Sequence, residues 1–223
     1  MSSKIEWLKT DGRPGYSLNP VKGLCPVRCS YCYARRMYQR FEWNPEIRFD
    51  WSVANDVSKI KKPSKIFVGS TMELFGPWIK PEWMRLILEL PKQHPQHTFI
   101  FLTKRPWELA QYVWPENCWV GASATNRSSF SDSVYYLNNV YAKVKFISME
   151  PLLSQVSPAV IPLEGAFIKW IIIGAQTPLN EKTNPKREWI DEIVCAADHA
   201  GCAVFEKDNL QPLLGKLRQE WPV

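Results

Sequence analysis

Three cysteines near the N-terminus carry the strongest chemical signal in the chain. Cys25, Cys29 and Cys32 are spaced C-x3-C-x2-C, and an aromatic residue, Tyr31, directly precedes the third. A short loop of this kind can turn three thiolates towards one point. An all-cysteine Fe4S4 cluster needs four such ligands, so this loop would hold three irons and leave the fourth with an open coordination position.

Two other uses of these cysteines stay open. Three cysteines and a histidine can bind structural zinc, but zinc sites usually pair C-x2-C with a second pair of ligands. The three histidines (His94, His97 and His199) lie far along the chain. A disulfide framework is typical of small secreted proteins, whereas no apolar signal segment is found in the first residues and apolar residues are plentiful. The spacing therefore favours an iron–sulfur cluster.

The cysteine spacing and the Tyr31–Cys32 pair resemble the signature of the radical S-adenosylmethionine enzymes. Segments 19–23, 33–36, 102–106 and 148–153 resemble the phage Gp37/Gp68 (three-Cys-motif) family, a relative of spore photoproduct lyase. This resemblance implies an Fe4S4 cluster whose open iron chelates S-adenosylmethionine, which is then cleaved reductively to a 5'-deoxyadenosyl radical. It also implies a reductase or a flavodoxin-type electron donor.

Length and composition indicate a folded protein. The chain has 223 residues, of which 45% are hydrophobic, so we expect a single domain over residues 1–223. The longest apolar run, around 170–175, is too short to span a bilayer. We therefore expect a cytoplasmic protein without membrane contact, in a compartment that keeps thiols reduced.

The charge balance permits contact with nucleic acid without requiring it. The formal net charge is +6 and the pI is near 9.0. Arginines 28, 35, 36 and 40 gather around the cysteine loop, where they form either a solvated helix face or a phosphate-binding surface. The eleven tryptophans are expected mainly to pack helices onto a sheet.

Short apolar runs that end in polar residues alternate with helical patterns. The segment before Cys25 is the first predicted strand, and further strands are predicted at 66–69, 99–102, 119–120, 146–147, 170–173 and 203–205. Helices are predicted at 34–41, 107–113 and 130–140, and around the apolar stripes at 83–90 and 190–197. This alternation predicts an α/β fold with parallel strands. A partial (β/α)6 TIM-like barrel is the arrangement that the family resemblance also implies, and a doubly wound open sheet stays the alternative.

Polar residues follow the predicted strands, and ligands of α/β folds bind at the carboxyl ends of the strands. The rule collects one set of side chains at this edge, which also holds the cysteine loop: Ser70, Thr71, Glu73, Thr103, Lys104, Ser123, Thr125, Asn126, Ser148, Glu150 and Gln176.

The family resemblance suggests cofactor contacts for six residues of the loop and this edge. Tyr31 would place its backbone or ring against adenine, and Ser70 and Thr71 would lie near the methionine amino group. Lys104 would pair with the methionine carboxylate, and Ser123 or Glu150 would bond the ribose hydroxyls. The serines and threonines could instead satisfy backbone groups at strand ends. No catalytic residue that acts on substrate is assigned.

Two segments depart from the pattern of the subgroup. Residues 174–178 are Gly-Ala-Gln-Thr-Pro where a Gly-Gly-Glu-Ser-Gly-like turn is usual, and 204–208 are Val-Phe-Glu-Lys-Asp in place of a Phe-Phe-Lys-Gln-like stretch. Both lie where substrate would approach. Of the other cysteines, Cys118 and Cys195 are expected to be buried, and Cys202 is either buried or a hydrogen donor to a substrate radical.

These observations predict a radical S-adenosylmethionine enzyme that acts on a nucleic-acid base or nucleotide, in repair or modification. A zinc-stabilised nucleic-acid-binding module without catalysis is the alternative from another class. A third hypothesis is a component that needs a partner protein for substrate binding, because little sequence is left over to form a substrate lid.

Overall fold

Strands and helices alternate along the chain in the computed structural model, which describes residues 2–158, 163, 166–179 and 181–222. The strands are β1 Tyr16–Leu18, β2 Val21–Lys22, β3 Arg48–Phe49, β4 Lys65–Val68, β5 Thr98–Thr103, β6 Cys118–Ser123, β7 Val144–Met149, β8 Ile168–Ile173 and β9 Ala203–Glu206. The α-helices are α1 Tyr33–Arg40, α2 Val53–Ser58, α3 Pro81–Gln93, α4 Arg127–Leu137, α5 Arg187–His199 and α6 Gln211–Leu214. Short 3-10 helices cover Glu6–Leu8, Pro106–Gln111 and Asp208–Leu210.

The predicted strands are confirmed in position and direction. Each apolar run predicted after the cysteine loop lies within one of β4 to β9 or extends one residue past it. All six residues of β7 are buried, as expected for a strand covered on both faces. The segment before the cysteine loop contains β1, which pairs in parallel with β4, and the short strand β2.

Contacts within the chain divide it into two compact units. The N-terminal unit comprises Met1–Thr103 and Trp114–Cys118, and the C-terminal unit comprises Lys104–Val113 and Trp119–Val223. A single domain over the whole chain stays a prediction.

In the N-terminal unit, β1, β4 and β5 run parallel. Leu18 pairs with Val68, and Val68 with Phe101, so these strands end at one edge. A separate two-stranded antiparallel sheet pairs β2 with β3. The cysteine loop and α1 lie between β2 and β3, so the two strands of this small sheet flank them in the chain.

In the C-terminal unit, β6, β7, β8 and β9 run parallel in that order. Ser123 pairs with Ser148, and Met149 with Ile173, so the carboxyl ends of neighbouring strands share an edge. The residues that follow these ends are the ones that the sequence assigns to the site.

The helices differ from the prediction in detail. Residues 107–113 were expected to be α-helical, but Pro106–Gln111 forms a 3-10 helix that stops where Tyr112 becomes extended. α4 begins earlier than predicted, because the Asn126 side chain accepts from the Ser129 N–H and forms a capping box with it. β3 and α2 had no counterpart in the sequence analysis. Among the described residues, no helix is long and apolar enough to cross a membrane.

Candidate metal and cofactor site

The loop that carries the three cysteines is anchored at both ends. The Leu24 N–H donates to the Pro45 carbonyl over 2.9 Å, just before Cys25. At the other end the Cys32 sulfur caps α1 by accepting from the Arg35 N–H at 3.4 Å. Between them Arg28 has a φ of 56°, which turns the backbone sharply. The loop is thus a defined turn between two regular elements.

The three thiols are half-buried. None of the six cysteines of the chain, all of which lie in described residues, forms a disulfide. Cys25 has hydrogen-bond partners at both its sulfur and its carbonyl oxygen. Burial raises the pKa of the Cys25 thiol above its ordinary value, while hydrogen bonds from the backbone of Glu73 and Val27 act in the opposite direction. The Arg35 guanidinium also donates to the Cys25 carbonyl at 2.8 Å. The backbone N–H groups of Val27 and Glu73 are therefore placed to donate to a Cys25 thiolate.

Tyr31 lies beside the other two sulfurs. Its phenol pKa is raised, first by burial and then by the charge of Cys29, with which it also shares a hydrogen bond. The charge of Cys32 contributes in the same direction. The Tyr31 side chain is thus packed within the cysteine loop, and its proposed contact with adenine stays a prediction.

The donor set suits an iron–sulfur cluster in its chemistry. Within the part of the chain that the structure describes, no three His, Cys, Asp or Glu side chains converge closely enough to hold a single metal ion. In a cluster each thiolate binds its own iron, so the cluster's sulfur ligands stand further apart than the ligands of one ion. Three half-buried thiols on one anchored loop supply the ligand type that a cluster needs.

Ser70 and Thr71 are tied to the end of β1. The Asn19 side-chain oxygen accepts from the Ser70 hydroxyl at 3.1 Å and from the Thr71 N–H at 3.2 Å. The Tyr33 hydroxyl donates to the Ser70 carbonyl at 2.7 Å. Because Tyr33 is the first residue of α1, the structure brings Ser70 against the helix that follows the cysteine loop.

Glu73 is a buried carboxylate in the same unit, which the sequence placed at the strand edge without a role. It accepts from the Thr103 hydroxyl at 2.6 Å and from the Phe75 N–H at 3.0 Å. The Trp78 indole donates to its backbone carbonyl at 2.9 Å. Since the Glu73 backbone also bonds the Cys25 sulfur, this residue connects β5 to the cysteine loop.

The C-terminal unit holds the remaining predicted contacts. The Glu150 carboxylate accepts from the Ser148 hydroxyl at 3.1 Å and pairs with the Lys207 ammonium at 2.8 Å. Ser123 ends β6 opposite Ser148. Lys104 lies half-buried at the start of the segment that leads to the 3-10 helix. The structure therefore joins Ser123 and Glu150 through Ser148, and places Lys104 within the same unit.

Residues 174–178 contact the part of the chain that follows β9. The Asn209 side chain accepts from the Ala175 N–H at 3.1 Å and donates to the Ala175 carbonyl at 2.7 Å. A Cβ at Gly174 would lie 2.8 Å from Lys207 Cδ and 3.3 Å from Glu150 Cγ. Glycine at this position therefore allows the Glu150–Lys207 pair to pack on the backbone.

Sequence reasoning missed Asn19, Tyr33, Lys207 and Asn209. Asn19 could have been found, because it follows the first strand directly, but the bounds of that strand were not fixed. Lys207 and Asn209 follow β9, and strand-end position was the available signal for them.

The other cysteines lie outside this arrangement. Cys118 is buried, as predicted, and burial raises its pKa to about 12. Cys202 is buried and its thiol donates to the Ile168 carbonyl at 3.0 Å, at the amino end of β8. The prediction that Cys195 is buried was wrong. Ile193 and Ala197 carry the buried stripe of α5, and Cys195 lies between them on another face.

The fold is similar to that of a solved enzyme. The structure titled "Spore photoproduct lyase complexed with dinucleoside spore photoproduct" matches with a TM-score of 0.66 over 93% of this chain and 79% of that one, at 12% sequence identity. This likeness concerns the fold alone, and it confirms the predicted α/β class of the partial-barrel kind with parallel strands.

No curated protein matches the chain. A family model described as "Protein of unknown function (DUF5131)" matches residues 2–211, which is nearly the whole chain. The protein therefore belongs to the DUF5131 family.

Proposed function

We propose that this protein is a radical S-adenosylmethionine enzyme of the phage Gp37/Gp68 (three-Cys-motif) type, in which Cys25, Cys29 and Cys32 hold an Fe4S4 cluster. The observation that carries the proposal is the anchored loop with three half-buried thiols, in a chain whose fold resembles spore photoproduct lyase. When bound, the cluster would supply the electron that cleaves S-adenosylmethionine to a 5'-deoxyadenosyl radical.

Residues of the N-terminal unit would prepare the metal end of the site. The backbone donors of Val27 and Glu73 stabilise the Cys25 thiolate. The hydrogen bond between the Tyr31 and Cys29 side chains would hold Tyr31 within the loop. Asn19 holds Ser70 and Thr71 by two hydrogen bonds, which would fix them for contact with the methionine amino group.

Three further residues are proposed to contact S-adenosylmethionine, on the basis of the family resemblance. Lys104 would pair with the methionine carboxylate, and Ser123 or Glu150 would bond the ribose hydroxyls. The Ser148 hydroxyl and the Lys207 ammonium both contact the Glu150 carboxylate, and these contacts would hold it in place at the edge of the sheet.

The substrate we propose is a nucleic-acid base or nucleotide, which would be repaired or modified. Two observations support it: the net charge of +6 and the likeness to an enzyme solved with a dinucleoside photoproduct. We further propose that residues 1–223 act as one domain in the cytoplasm, with a reductase or flavodoxin-type protein as electron donor.

The test is anaerobic reconstitution of the full chain with iron and sulfide. About four irons per chain are expected, and incubation with dithionite and S-adenosylmethionine should yield 5'-deoxyadenosine. Cys29→Ala should lose both the cluster and the product. Cys195→Ala is the matched control, because this exposed thiol on α5 lies outside the loop and its removal should change neither.

Two outcomes would overturn the proposal. A colourless protein with a single zinc per chain would support the zinc-stabilised module instead. A full cluster that produces no 5'-deoxyadenosine under reducing conditions would exclude the radical mechanism.

A further inference from the structure

One face of α1 is exposed and begins at the cysteine loop. Tyr33, Arg36 and Arg40 are spaced i, i+3 and i+7, so they lie in one row along the helix. All three are exposed, while Ala34 and Tyr38 on the other side are buried. The row starts directly after Cys32, the residue that caps α1. It spans about 10 Å at 1.5 Å per residue.

Two large rings continue this row past the helix end. Phe41 is 52% exposed and Trp43 is 42% exposed. Their rings stack with centroids 5.6 Å apart and planes 23° from parallel. The Arg40 guanidinium lies 5.4 Å from the centre of the Phe41 ring. We call Tyr33, Arg36, Arg40, Phe41 and Trp43 the aromatic–basic surface.

The Trp43 ring is held in place by the buried Tyr38 of α1. The Trp43 ring packs edge-on against the Tyr38 ring, with centroids 5.3 Å apart. The Trp43 backbone N–H donates to the Tyr38 carbonyl at 3.2 Å. The buried Tyr38 hydroxyl in turn accepts from the Gly23 N–H at 2.7 Å. The segment that carries the rings is thereby fastened to the residues that lead into Cys25, so the surface and the cysteine loop are parts of one packed structure.

The charge of this region is strongly positive. Residues 21–48 contain six basic and two acidic side chains, so they carry most of the net charge of +6. Lys22, Arg28, Arg36, Arg40 and Arg48 are exposed. Phosphate groups complement such a surface, and flat exposed rings complement unpaired bases.

We propose that the aromatic–basic surface binds single-stranded nucleic acid, with Arg36 and Arg40 on phosphates and Phe41 and Trp43 stacked on bases. Bases within a duplex are stacked on each other and cannot offer their faces to these rings. This inference rests on the proposed function in one respect: it names the form of nucleic acid that the site would receive. A strand bound here would run towards the cysteine loop.

The phosphate contacts are tested with the full chain, purified anaerobically and kept without S-adenosylmethionine or reductant. Binding of a fluorescein-labelled twelve-residue oligothymidylate is measured by anisotropy over a range of salt concentrations. The Arg36→Gln/Arg40→Gln variant should weaken binding and lower the salt slope by about 1.4, since each phosphate contact on a single strand contributes about 0.7. Lys61→Gln/Lys62→Gln is the matched control, because these lysines are exposed in the same unit but outside the surface.

The stacking contacts are tested with Phe41→Ala, which should weaken binding of the same oligonucleotide by about tenfold. Tyr141→Ala removes a ring that is also exposed but lies elsewhere, and should leave binding unchanged. Circular dichroism establishes that each variant is folded. Binding should also quench tryptophan fluorescence, and Trp43→Phe should diminish this quenching.

Three results would overturn the inference. These are unchanged affinity in both surface variants, an equal loss in the Lys61→Gln/Lys62→Gln control, and tighter binding of a duplex of the same length. Each is distinct from a failure of the proposed function, since no cluster chemistry enters the measurement. A protein that makes 5'-deoxyadenosine but does not bind the oligonucleotide would overturn this inference and leave the proposed function standing.

Discussion

The Thr103 hydroxyl donates a hydrogen bond of 2.6 Å to the Glu73 carboxylate, and both side chains are buried. Thr103 ends β5, and Glu73 lies in the loop after β4. Because the backbone of Glu73 also bonds the Cys25 sulfur, this contact joins the sheet of the N-terminal unit to the cysteine loop.

Thr103→Val should therefore destabilise the protein. The change removes one hydrogen bond from a buried carboxylate that still accepts from the Phe75 N–H, and we expect the free energy of unfolding to fall by about 1–3 kcal/mol. Denaturant unfolding followed by circular dichroism measures this loss. Thr98→Val, at the half-buried start of the same strand, should cost within about 0.5 kcal/mol. Equal effects of the two changes would show that the bond to Glu73 is dispensable.

Gly69→Ala should lower the free energy of unfolding more than Gly201→Ala does. Gly69 has a φ of +82°, and a Cβ there would lie 2.6 Å from Leu74 Cδ1. Gly201 has a φ of +65° with nothing within 4 Å, so Gly201→Ala adds backbone strain without a clash. We expect about 1 kcal/mol for Gly201→Ala and more for Gly69→Ala. Thermal unfolding of the two variants compares them, and identical melting temperatures would contradict the packing at Leu74.

Lys207→Met tests the ion pair at the edge of the C-terminal unit. The side chains of Lys207 and Glu150 are only 21% and 19% exposed, so removal of the ammonium leaves a poorly solvated carboxylate. We expect a loss of about 1–3 kcal/mol in the free energy of unfolding. Lys92→Met breaks an exposed pair with Glu89 and should cost about 0–0.5 kcal/mol. A loss at Lys207 as small as that at Lys92 would count against a structural role for the pair.

Lys65 makes stability depend on alkaline pH. Burial lowers the pKa of its ammonium to about 8, and the charge of Asp11 opposes this only in part. The unfolded chain therefore binds more protons than the folded one between pH 8 and the ordinary lysine pKa. The cost of burying the charged form is present in full below pH 8 and is relieved as pH rises above it.

Lys65→Met isolates this effect. The free energy of unfolding of the variant relative to wild type should be highest near pH 7 and should fall as pH rises from 8 to 10. Denaturant unfolding of both proteins at each pH gives the difference, which cancels the titration of the tyrosines, the cysteines and the other lysines. A difference that stays constant with pH would show that Lys65 keeps an ordinary pKa in the folded protein.

Features that depend on neighbours in the chain could be predicted. The cysteine spacing needs no tertiary information, since three residues of one short loop stay together in any fold. The buried strands were recognised because parallel strands covered on both faces are continuously apolar, as in 144–149. The α-helices around 83–90 and 190–197 were recognised because their apolar residues recur at helical spacing.

The sequence predicted less well which apolar side chains are buried and which are exposed. Cys195 falls within an apolar pattern, yet the buried stripe of α5 passes through Ile193 and Ala197 and leaves it exposed. The tryptophans were expected to serve mainly as packing residues, but Trp43 and Trp51 are exposed beyond the end of α1. Apolar character alone does not tell which side of an element meets the core.

The sequence by itself determined the three-thiol loop, the alternation of strands and helices, and the set of polar residues at strand ends. Only the tertiary structure decided the partners: Asn19 with Ser70, Glu73 with Thr103, and Glu150 with Lys207. These pairs lie 30 to 57 positions apart in the chain. The register of parallel strands sets which residues meet across such separations, and that register depends on the packing of the whole sheet rather than on local pattern.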